Sequence, residues 1–323
     1  MTLATLGWNE RRQRDFAIHS GDGLVPGRVV GEHRTHYRVA TGEIELTSEA
    51  TGRLRNAARV RSDMPGVGDF VALRISPSDG PATIEAVLPR TSALIRKASG
   101  EQRPQLLATN VDAVFIVTGL DGDFNLARLQ RFLALVWDSG AIPVIVANKA
   151  ELSHDMAATS REIRTIAPDV ALHPTSARSG SGVHDLEQYF TGNRTVVLIG
   201  SSGVGKSTLT NLLLERAAQA TQAVRAHDSR GRHTTTHRQL FIRPRGGAII
   251  DTPGLRGLEV WNVDPVTANF DDIALLATQC RFSDCQHRSE PNCAVLAAVA
   301  RGDLDARRLA EYAKSARTPR SPV

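Results

Sequence analysis

The sequence lacks any apolar run long enough to cross a membrane, since none approaches the roughly 20 residues that a spanning helix needs. The basic residues near the start, Arg11, Arg12 and Arg14, are not followed by the apolar segment of a secretory signal. We therefore expect a cytoplasmic location and no membrane partner.

Cysteine is also scarce, and all 3 cysteines lie between Cys280 and Cys293. An odd number of closely spaced cysteines in a cytoplasmic chain argues for metal binding rather than disulfides. Cys280, Cys285, His287 and Cys293 form a Cys-x₄-Cys-x-His-x₅-Cys pattern, a donor set sufficient for a closed tetrahedral zinc site. The pattern predicts one structural zinc ion, because no coordination position is left for a substrate.

The overall composition is that of a globular protein with a modest basic excess. The apolar fraction is 41%, the charged fraction 23% and the net charge +5, and a length of 323 residues suggests two or three domains. Arginine dominates the basic residues, and its planar guanidinium suits phosphate recognition. A nucleic acid partner therefore becomes more plausible, although a high-GC genome alone could produce the same excess of basic residues.

The first part of the chain has a β-rich pattern. Residues 1–24 predict a poorly structured arm. Short β-like runs follow at 27–30, 36–40, 42–46, 67–73 and 82–88. Such strands, separated by turn residues, predict an OB-like barrel over 25–90, a scaffold common in nucleic acid binding. A packing domain without a ligand is the alternative, because a fold alone does not give a function.

Beyond a linker at 89–104, predicted strands and helices alternate. The strands lie at 111–117, 143–147 and 169–172, and the helices at 125–137, 160–167 and 183–190. This alternation predicts an α/β domain over 105–258 with a doubly wound parallel sheet, whose ligands bind at the carboxyl ends of the strands. A mainly helical zinc-binding domain and a disordered tail are expected over 259–323.

The clearest motif is a glycine-rich loop between an apolar strand, 195–199, and an apolar-periodic segment, 209–214. It comprises Gly200, Ser201, Ser202, Gly203, Val204, Gly205, Lys206, Ser207 and Thr208. In a G-x-x-x-x-G-K-[ST] loop, backbone N–H groups face phosphate oxygens, the lysine reaches the β- and γ-phosphates and the serine hydroxyl binds Mg²⁺. The chain is therefore predicted to bind a nucleoside triphosphate.

Two polar clusters before this loop are candidates for reading the base. After the strand ending at Ala147 come Asn148, Lys149 and Glu151. A carboxylate there accepts two hydrogen bonds from a guanine edge, the lysine stem packs on the base, and the asparagine tethers the cluster to the phosphate loop. Ser176 and Ala177 form a small-residue turn that approaches the base through its backbone.

Two further clusters follow the phosphate loop. Asp251 is placed to hold Mg²⁺ through water, and the N–H of Gly254 to meet the γ-phosphate. Residues 229–236 contain three threonines, any of which suits the γ-phosphate and Mg²⁺ sensor of a GTPase switch. We favour Thr235.

These clusters are the signature motifs of a GTPase in a circularly permuted order, because the base-reading motifs precede the phosphate loop. Permutation is allowed since domain termini often lie close together. With a β-rich domain before and a Cys/His cluster after, the chain from about Val25 to Val299 resembles the bacterial RsgA (YjeQ/YloQ) family. The resemblance assigns guanine recognition to Asn148, Lys149 and Glu151, and phosphate and Mg²⁺ binding to Gly203 through Thr208.

The resemblance also implies a function. Members of that family are GTPases that assist late maturation of the small (30S) ribosomal subunit and are stimulated by it. We accordingly expect GTP and GDP, Mg²⁺ and zinc as bound groups, contacts with 16S rRNA, and a monomer. The family's guanine motif ends in aspartate, so Glu151, one methylene longer, predicts looser guanine selectivity.

The residue that orients the attacking water is harder to identify from the sequence. Ras-type GTPases orient the attacking water with a glutamine after the Asp-x-x-Gly motif, but Leu255 stands there. An aliphatic side chain cannot orient water, so slow intrinsic hydrolysis is expected and His233 is the candidate for the role. The alternative is that His233 contacts only solvent or RNA.

Two other functions compete with this interpretation. A GTP-regulated binding module would use hydrolysis only to time its release from RNA or protein. A small-molecule kinase would use the same phosphate loop, but the Asn148 motif and the lack of a separate acceptor lid argue against it.

Overall fold

The computed structural model describes residues 2–33, 36–75, 80–96, 105–121, 124–215, 238–251, 273, 276–282, 285–288, 290–304 and 309. The chain divides into a first unit, residues 1–97 with 101–260, and a second unit, residues 98–100 with 261–323. In the described residues no helix is both long and apolar enough to span a bilayer.

Five strands of the first unit close into a barrel. They are β1 Val25–Glu32, β2 Tyr37–Ala40, β3 Glu45–Ala50, β4 Phe70–Arg74 and β5 Ala82–Val87. Their order is β1-β2-β3-β5-β4, and β4 returns to pair with β1. The interior is filled by apolar side chains that alternate along the strands, among them Val29, Val39, Val71, Leu73 and Ile84. The predicted barrel is confirmed, although β3 begins later than expected.

The prediction of a poorly structured arm at the start of the chain is wrong. Residues Ala4–Leu6 and Ser20–Asp22 are 3₁₀ helices, and α1 spans Glu10–Ala17. The reason is burial: Leu6 and Phe16 are 0% and 5% exposed. Trp8, which precedes α1, packs edge-on against Phe70 of the barrel at 5.7 Å between ring centroids.

The segment expected to be a linker contains a strand. β6, Ala93–Arg96, pairs antiparallel with β7, Gln105–Thr109, in a separate two-stranded sheet. The side chain of Leu94 is buried, so this part of the chain packs against its surroundings instead of merely connecting two domains. A short helix, α2, Gly52–Ala57, lies between β3 and β4.

The rest of the first unit is an α/β sheet. Its strands are β8 Ala113–Gly119, β9 Ile142–Asn148, β10 Ala171–Pro174, β11 Thr195–Ile199, β12 Gln239–Ile242 and β13 Ala248–Asp251. The order is β10-β9-β8-β11-β13-β12, and only β12 is antiparallel to its neighbour in this run. Strand β8 is buried along its whole length, as its continuous apolar sequence predicts.

Three α-helices accompany these strands: α3 Leu126–Ser139, α4 Met156–Ile166 and α5 Lys206–Leu213. All three lie where the sequence predicts helices. The helix expected at 183–190 is instead a 3₁₀ helix, His184–Phe190, whose Leu186 and Phe190 pack into the core. Strand β12 was not predicted.

The strand order is that of a permuted domain. Strand β11, which leads into the glycine-rich loop, pairs with β8 on one side and β13 on the other. Its neighbour β8 thus comes from an earlier part of the chain. Because β8, β9, β10, β11 and β13 are parallel, their carboxyl ends lie at one edge of the sheet.

The barrel and the α/β sheet are joined edge to edge. β1 pairs antiparallel with β12 at Gly31 and Gln239, which makes one continuous 11-stranded sheet. At this seam the Glu32 carboxylate pairs with Arg238 at 3.3 Å and with Arg61 at 3.0 Å.

The second unit has a small core of its own around α6, Ala294–Arg301. The buried side chains of Val295 and Ala298 pack with Ile273 and Leu304. The helix predicted at 294–300 is confirmed. Most of the helix expected at 303–314 lies outside the described residues.

Candidate functional site

The glycine-rich loop connects β11 to α5 in a backbone path that requires glycine. At Gly200, where φ is 142°, a Cβ atom would lie 2.1 Å from the carbonyl oxygen of Val117. At Gly205, where φ is 99°, it would lie 2.2 Å from Nδ2 of Asn148. Any side chain at either position would therefore collide with a neighbouring strand or loop.

The remaining residues of the loop divide into buried supports and exposed groups. Ser201 and Val204 are buried, while Ser202, Ser207 and Thr208 are exposed. The Lys206 ammonium group donates to the carbonyl oxygens of Gly200, at 2.7 Å, and Ser201. The hydroxyl groups at the start of α5 thus face outwards where a ligand can reach them.

Asn148 joins three parts of this edge of the sheet. It ends β9 and is 1% exposed. Its Nδ2 donates to the Val204 carbonyl at 2.7 Å, while its Oδ1 accepts from the backbone N–H of Ala177 at 2.8 Å and the hydroxyl of Thr175 at 3.3 Å. The two predicted base-reading clusters and the glycine-rich loop are therefore brought together by one side chain.

Lys149 follows in the left-handed region, with φ of 62°. Its ammonium group forms an ion pair with the carboxylate of Asp121, which lies just beyond the end of β8. Sequence reasoning missed Asp121. The available signal was its position: Asp121 follows the buried strand β8, and Lys149 follows the neighbouring strand β9.

Glu151 lies on an exposed 3₁₀ turn, Ala150–Leu152. A hydrogen bond from the Ser176 side chain, supplemented by one from the backbone of Glu151, lowers the pKa of this carboxyl group. Nearby Arg178 and Lys149 act in the same direction. The carboxylate is thus held in its ionised form, which is the form that accepts hydrogen bonds from a guanine edge.

Asp251 ends β13, the strand that pairs with β11 on the side opposite β8. It is half-buried and lies at the same edge of the sheet as the glycine-rich loop. The other predicted residues of this group, His233, Thr235 and Gly254, lie outside the described residues.

The Cys/His cluster of the second unit has the dimensions of a zinc site. The candidate donor atoms of Cys280, Cys285, His287 and Cys293 all lie within 4.8 Å of one another. The Sγ atoms of Cys280 and Cys293 are 3.8 Å apart, and Nδ1 of His287 lies 3.6 Å and 3.3 Å from them. A tetrahedron with Zn–S bonds of about 2.3 Å has S···S edges of roughly 3.8 Å, so the donors fit zinc.

Known proteins are similar to this chain in sequence. The family model described as RsgA GTPase matches residues 87–261. Small ribosomal subunit biogenesis GTPase RsgA 2 of Lactiplantibacillus plantarum is 45% identical over 293 residues, which are 91% of this chain and 83% of that protein. Small ribosomal subunit biogenesis GTPase RsgA of Opitutus terrae is 44% identical over 97% of this chain and 89% of its own length.

Two solved structures have a fold similar to that of this chain. The crystal structure of YjeQ from Thermotoga maritima superposes with a TM-score of 0.56 and 29% identity, over 90% of this chain and 96% of that one. The crystal structure of YloQ, described as a circularly permuted GTPase, gives a TM-score of 0.56 and 26% identity over 94% and 99% of the two chains. The circularly permuted fold predicted from the motif order is confirmed.

Proposed function

This chain belongs to the RsgA family of GTPases, and from that premise we propose that it binds the small ribosomal subunit and assists its late maturation. It hydrolyses GTP to GDP and phosphate in a manner that the subunit stimulates. The observation that carries the proposal is the Asn148 side chain, which hydrogen-bonds both the glycine-rich loop and the Ala177 turn. Such a tether fixes a base-reading loop relative to a phosphate-binding loop.

The roles in nucleotide binding follow from chemistry. Backbone N–H groups of Gly200 through Gly205 and the N-terminus of α5 receive the phosphates, and Lys206 neutralises the β- and γ-oxygens. Glu151 accepts hydrogen bonds from guanine, with the Lys149 stem against the base. Ser176 and Ala177 border the base from the other loop.

The oxygen donors at the sheet edge suit Mg²⁺, which takes hard oxygen ligands. The exposed Ser207 hydroxyl would bind it directly and Asp251, at the end of the adjacent strand, through water. Bound there, the ion supplies charge neutralisation for the phosphoryl group being transferred. Thr235 and Gly254 would sense the γ-phosphate from the switch segments.

His233 is proposed to orient the attacking water, because Leu255 occupies the position of the usual glutamine. The test is the His233→Ala variant, which should bind GDP normally but lose most of its subunit-stimulated turnover. Full stimulated turnover in this variant would reject the catalytic role.

The decisive experiment for the function is GTP hydrolysis measured with and without purified small subunits. Subunits should raise kcat, whereas a GTP-regulated binding module would show altered nucleotide affinity with unchanged turnover. Displacement of bound GDP by GTP but not by ATP tests guanine recognition through Glu151. Equal displacement of GDP by GTP and ATP would contradict guanine recognition through Glu151.

The remaining proposals concern partners and the second unit. We propose contacts with 16S rRNA through the basic surface, a monomeric chain, a cytoplasmic location, and one structural zinc ion held by Cys280, Cys285, His287 and Cys293. The proposed domain limits are 25–90, 105–258 and 259–323. Analytical ultracentrifugation tests the monomer and metal analysis tests the zinc.

A further inference from the structure

A cavity lies at the edge of the α/β sheet opposite the predicted nucleotide site. It has a volume of about 590 Å³ and opens between α1, the barrel and the amino ends of β8, β9 and β11. Strand β11 is five residues long and rises about 3.3 Å per residue, so roughly 16 Å of strand separates this cavity from the glycine-rich loop. The volume falls within the range of roughly 300–1,000 Å³ that is usual for small-ligand sites.

The cavity wall is rich in guanidinium groups. Arg11, Arg12, Arg28 and Arg194 line it, and among its lining residues Asp112 alone is acidic. The Asp112 carboxylate is already engaged, since it accepts a hydrogen bond from the backbone N–H of Thr195 at 2.7 Å. The cavity therefore carries an excess of positive charge.

Arg28 is the most deeply placed of these residues, with 1% of its surface exposed. Its guanidinium donates to three carbonyl oxygens: those of Leu6 at 2.6 Å, Gly68 at 3.1 Å and Asn110 at 3.3 Å. No carboxylate in the described part of the chain forms an ion pair with it. Buried charges in proteins are usually paired, because the transfer of an unpaired ion out of water is costly.

Arg12 lies beside Arg28 and is 4% exposed. Its hydrogen bonds go to neutral oxygens of Pro89, Thr91 and Asn110, and its nearest carboxylate, Asp15, is 3.6 Å away. Both guanidinium groups also contact the Phe70 ring, at 4.8 Å and 4.7 Å from its centroid. Burial above all lowers the pKa of Arg28 to about 10; attraction to Asp112 opposes this shift and repulsion from Arg12 adds to it, and the group stays charged at neutral pH.

We propose that this cavity is a binding site for a small phosphate-bearing anion, which adds negative charge beside Arg28 and Arg12, whose guanidinium hydrogen bonds all go to neutral oxygens. A guanidinium has more N–H groups than the three carbonyls around Arg28 accept, and its planar fork matches phosphate oxygens. Arg11 and Arg194 are exposed at the mouth and complete the positive lining. The depth of Arg28 favours a small molecule over an RNA backbone.

An anion at Arg28 would also act on three separate segments of the chain. Arg28 contacts the N-terminal segment through Leu6, the barrel through Gly68 and the start of the α/β domain through Asn110. An anion bound there stabilises the folded arrangement of these three segments by mass action.

Isothermal titration of the full chain, saturated with GDP and Mg²⁺, tests the site. The probes are inorganic phosphate and pyrophosphate, with sodium chloride at matched ionic strength as the reference. We expect saturable binding with one site per chain. The absence of saturable heat with both probes would overturn the proposal.

Variants locate the site. Arg28→Gln can fail to fold, so the mouth residue Arg194 provides the main test: Arg194→Gln should weaken binding about tenfold, the loss of one good charge-assisted contact. The matched control is Arg161→Gln, an exposed arginine on α4, which should change nothing. Binding should persist at saturating GDP and Mg²⁺, because the glycine-rich loop is then occupied and lies at the opposite edge of the sheet.

Three results would contradict the assignment. Equal weakening in Arg194→Gln and Arg161→Gln would indicate a general charge effect, and phosphate binding that occurs only when GDP is omitted would place the anion at the glycine-rich loop. A short single-stranded RNA that binds in an Arg194-dependent manner, without phosphate binding, would replace the small anion by an RNA partner.

Discussion

At the scale of single residues, Asn148 connects the glycine-rich loop to the Ala177 turn in the candidate nucleotide site. Its amide is buried and makes three hydrogen bonds, two of them to backbone groups in separate loops. Removal of such a group leaves the Val204 carbonyl and the Ala177 N–H without their partner. A buried unsatisfied group costs about 1–3 kcal/mol.

We therefore predict that Asn148→Ala lowers the free energy of unfolding by about 1–3 kcal/mol and weakens GDP binding at least tenfold. Urea denaturation measures the first effect and fluorescence titration the second. The exposed Asn56→Ala on α2 is the control and should change neither. Normal GDP affinity in Asn148→Ala would show that the tether is structural only.

Glu151 offers a pH-dependent test. Hydrogen bonding from Ser176 lowers the pKa of the Glu151 carboxyl group, so the carboxylate stays ionised to lower pH than an ordinary glutamate. In Ser176→Ala the pKa rises, and GDP affinity should begin to fall at a higher pH as the solution is acidified.

The measurement is the dissociation constant of GDP as a function of pH in both proteins. Ser160→Ala on α4 is the matched control and should keep the original profile. Superimposable profiles for Ser176→Ala and the unaltered chain would mean that the hydrogen bond does not govern guanine binding.

The sequence allowed some of these residue roles to be anticipated and not others. The tether from Asn148 to the glycine-rich loop follows from motif chemistry, and the structure contains that contact. The Asp121–Lys149 ion pair and the buried Arg28 could not be foreseen. Both depend on which strands become neighbours, and an isolated aspartate or arginine carries no motif.

At the scale of elements, one carboxylate at the seam between the barrel and the α/β sheet pairs with two arginines. Glu32 pairs with Arg238 just before β12 and with Arg61 near the barrel. The Glu32 side chain is 17% exposed, so these pairs are screened by water less than surface pairs are.

Glu32→Gln should therefore lower the free energy of unfolding by about 1 kcal/mol, at the upper end of exposed ion pairs. It should also speed amide hydrogen exchange in β12 relative to β13. Glu45→Gln, which breaks the more exposed pair with Arg38, is the control and should have a smaller effect. Unchanged exchange in β12 would show that Glu32 does not hold the seam.

Element prediction succeeded where apolar patterning was strong. β8 and β11 are buried along their whole length and β9 is buried from Val144 onwards, and all three read as continuous apolar runs. β12 was missed because it is only four residues long, and one of its two partners, β1, lies about 200 residues away in the chain. The helical structure at the start of the chain was missed because it is stabilised by contacts with Phe70, which is distant in the sequence.

At the scale of the whole molecule, the candidate zinc site belongs to the second unit and the candidate nucleotide site to the first. The second unit has a small core, so its stability should depend on the metal. Chelation should unfold this unit while GDP affinity stays within twofold of its original value.

Near-ultraviolet circular dichroism and GDP titration before and after chelation provide the test. Cys293→Ser should reproduce the effect of chelation. Simultaneous loss of GDP binding would indicate that the two units fold together, and an unaltered second unit would show that the metal is dispensable. The overall permutation itself was predictable, because motif order along the chain is read directly from the sequence.

The position of β11 between an early and a late strand also affects how a newly made chain acquires its ligand. Synthesis proceeds at roughly 5–20 residues per second, so β8, β9 and β10 emerge before the loop that holds phosphates exists. Strand β11 then finds β8 already present but must wait for β13, which is made on the order of seconds later. Asn148 lacks its partner until Val204 is made, and Asp251 is missing from the sheet edge until β13 is made, so the nascent protein should be unable to retain GTP before then. Nucleotide binding therefore becomes possible only late in the synthesis of the chain.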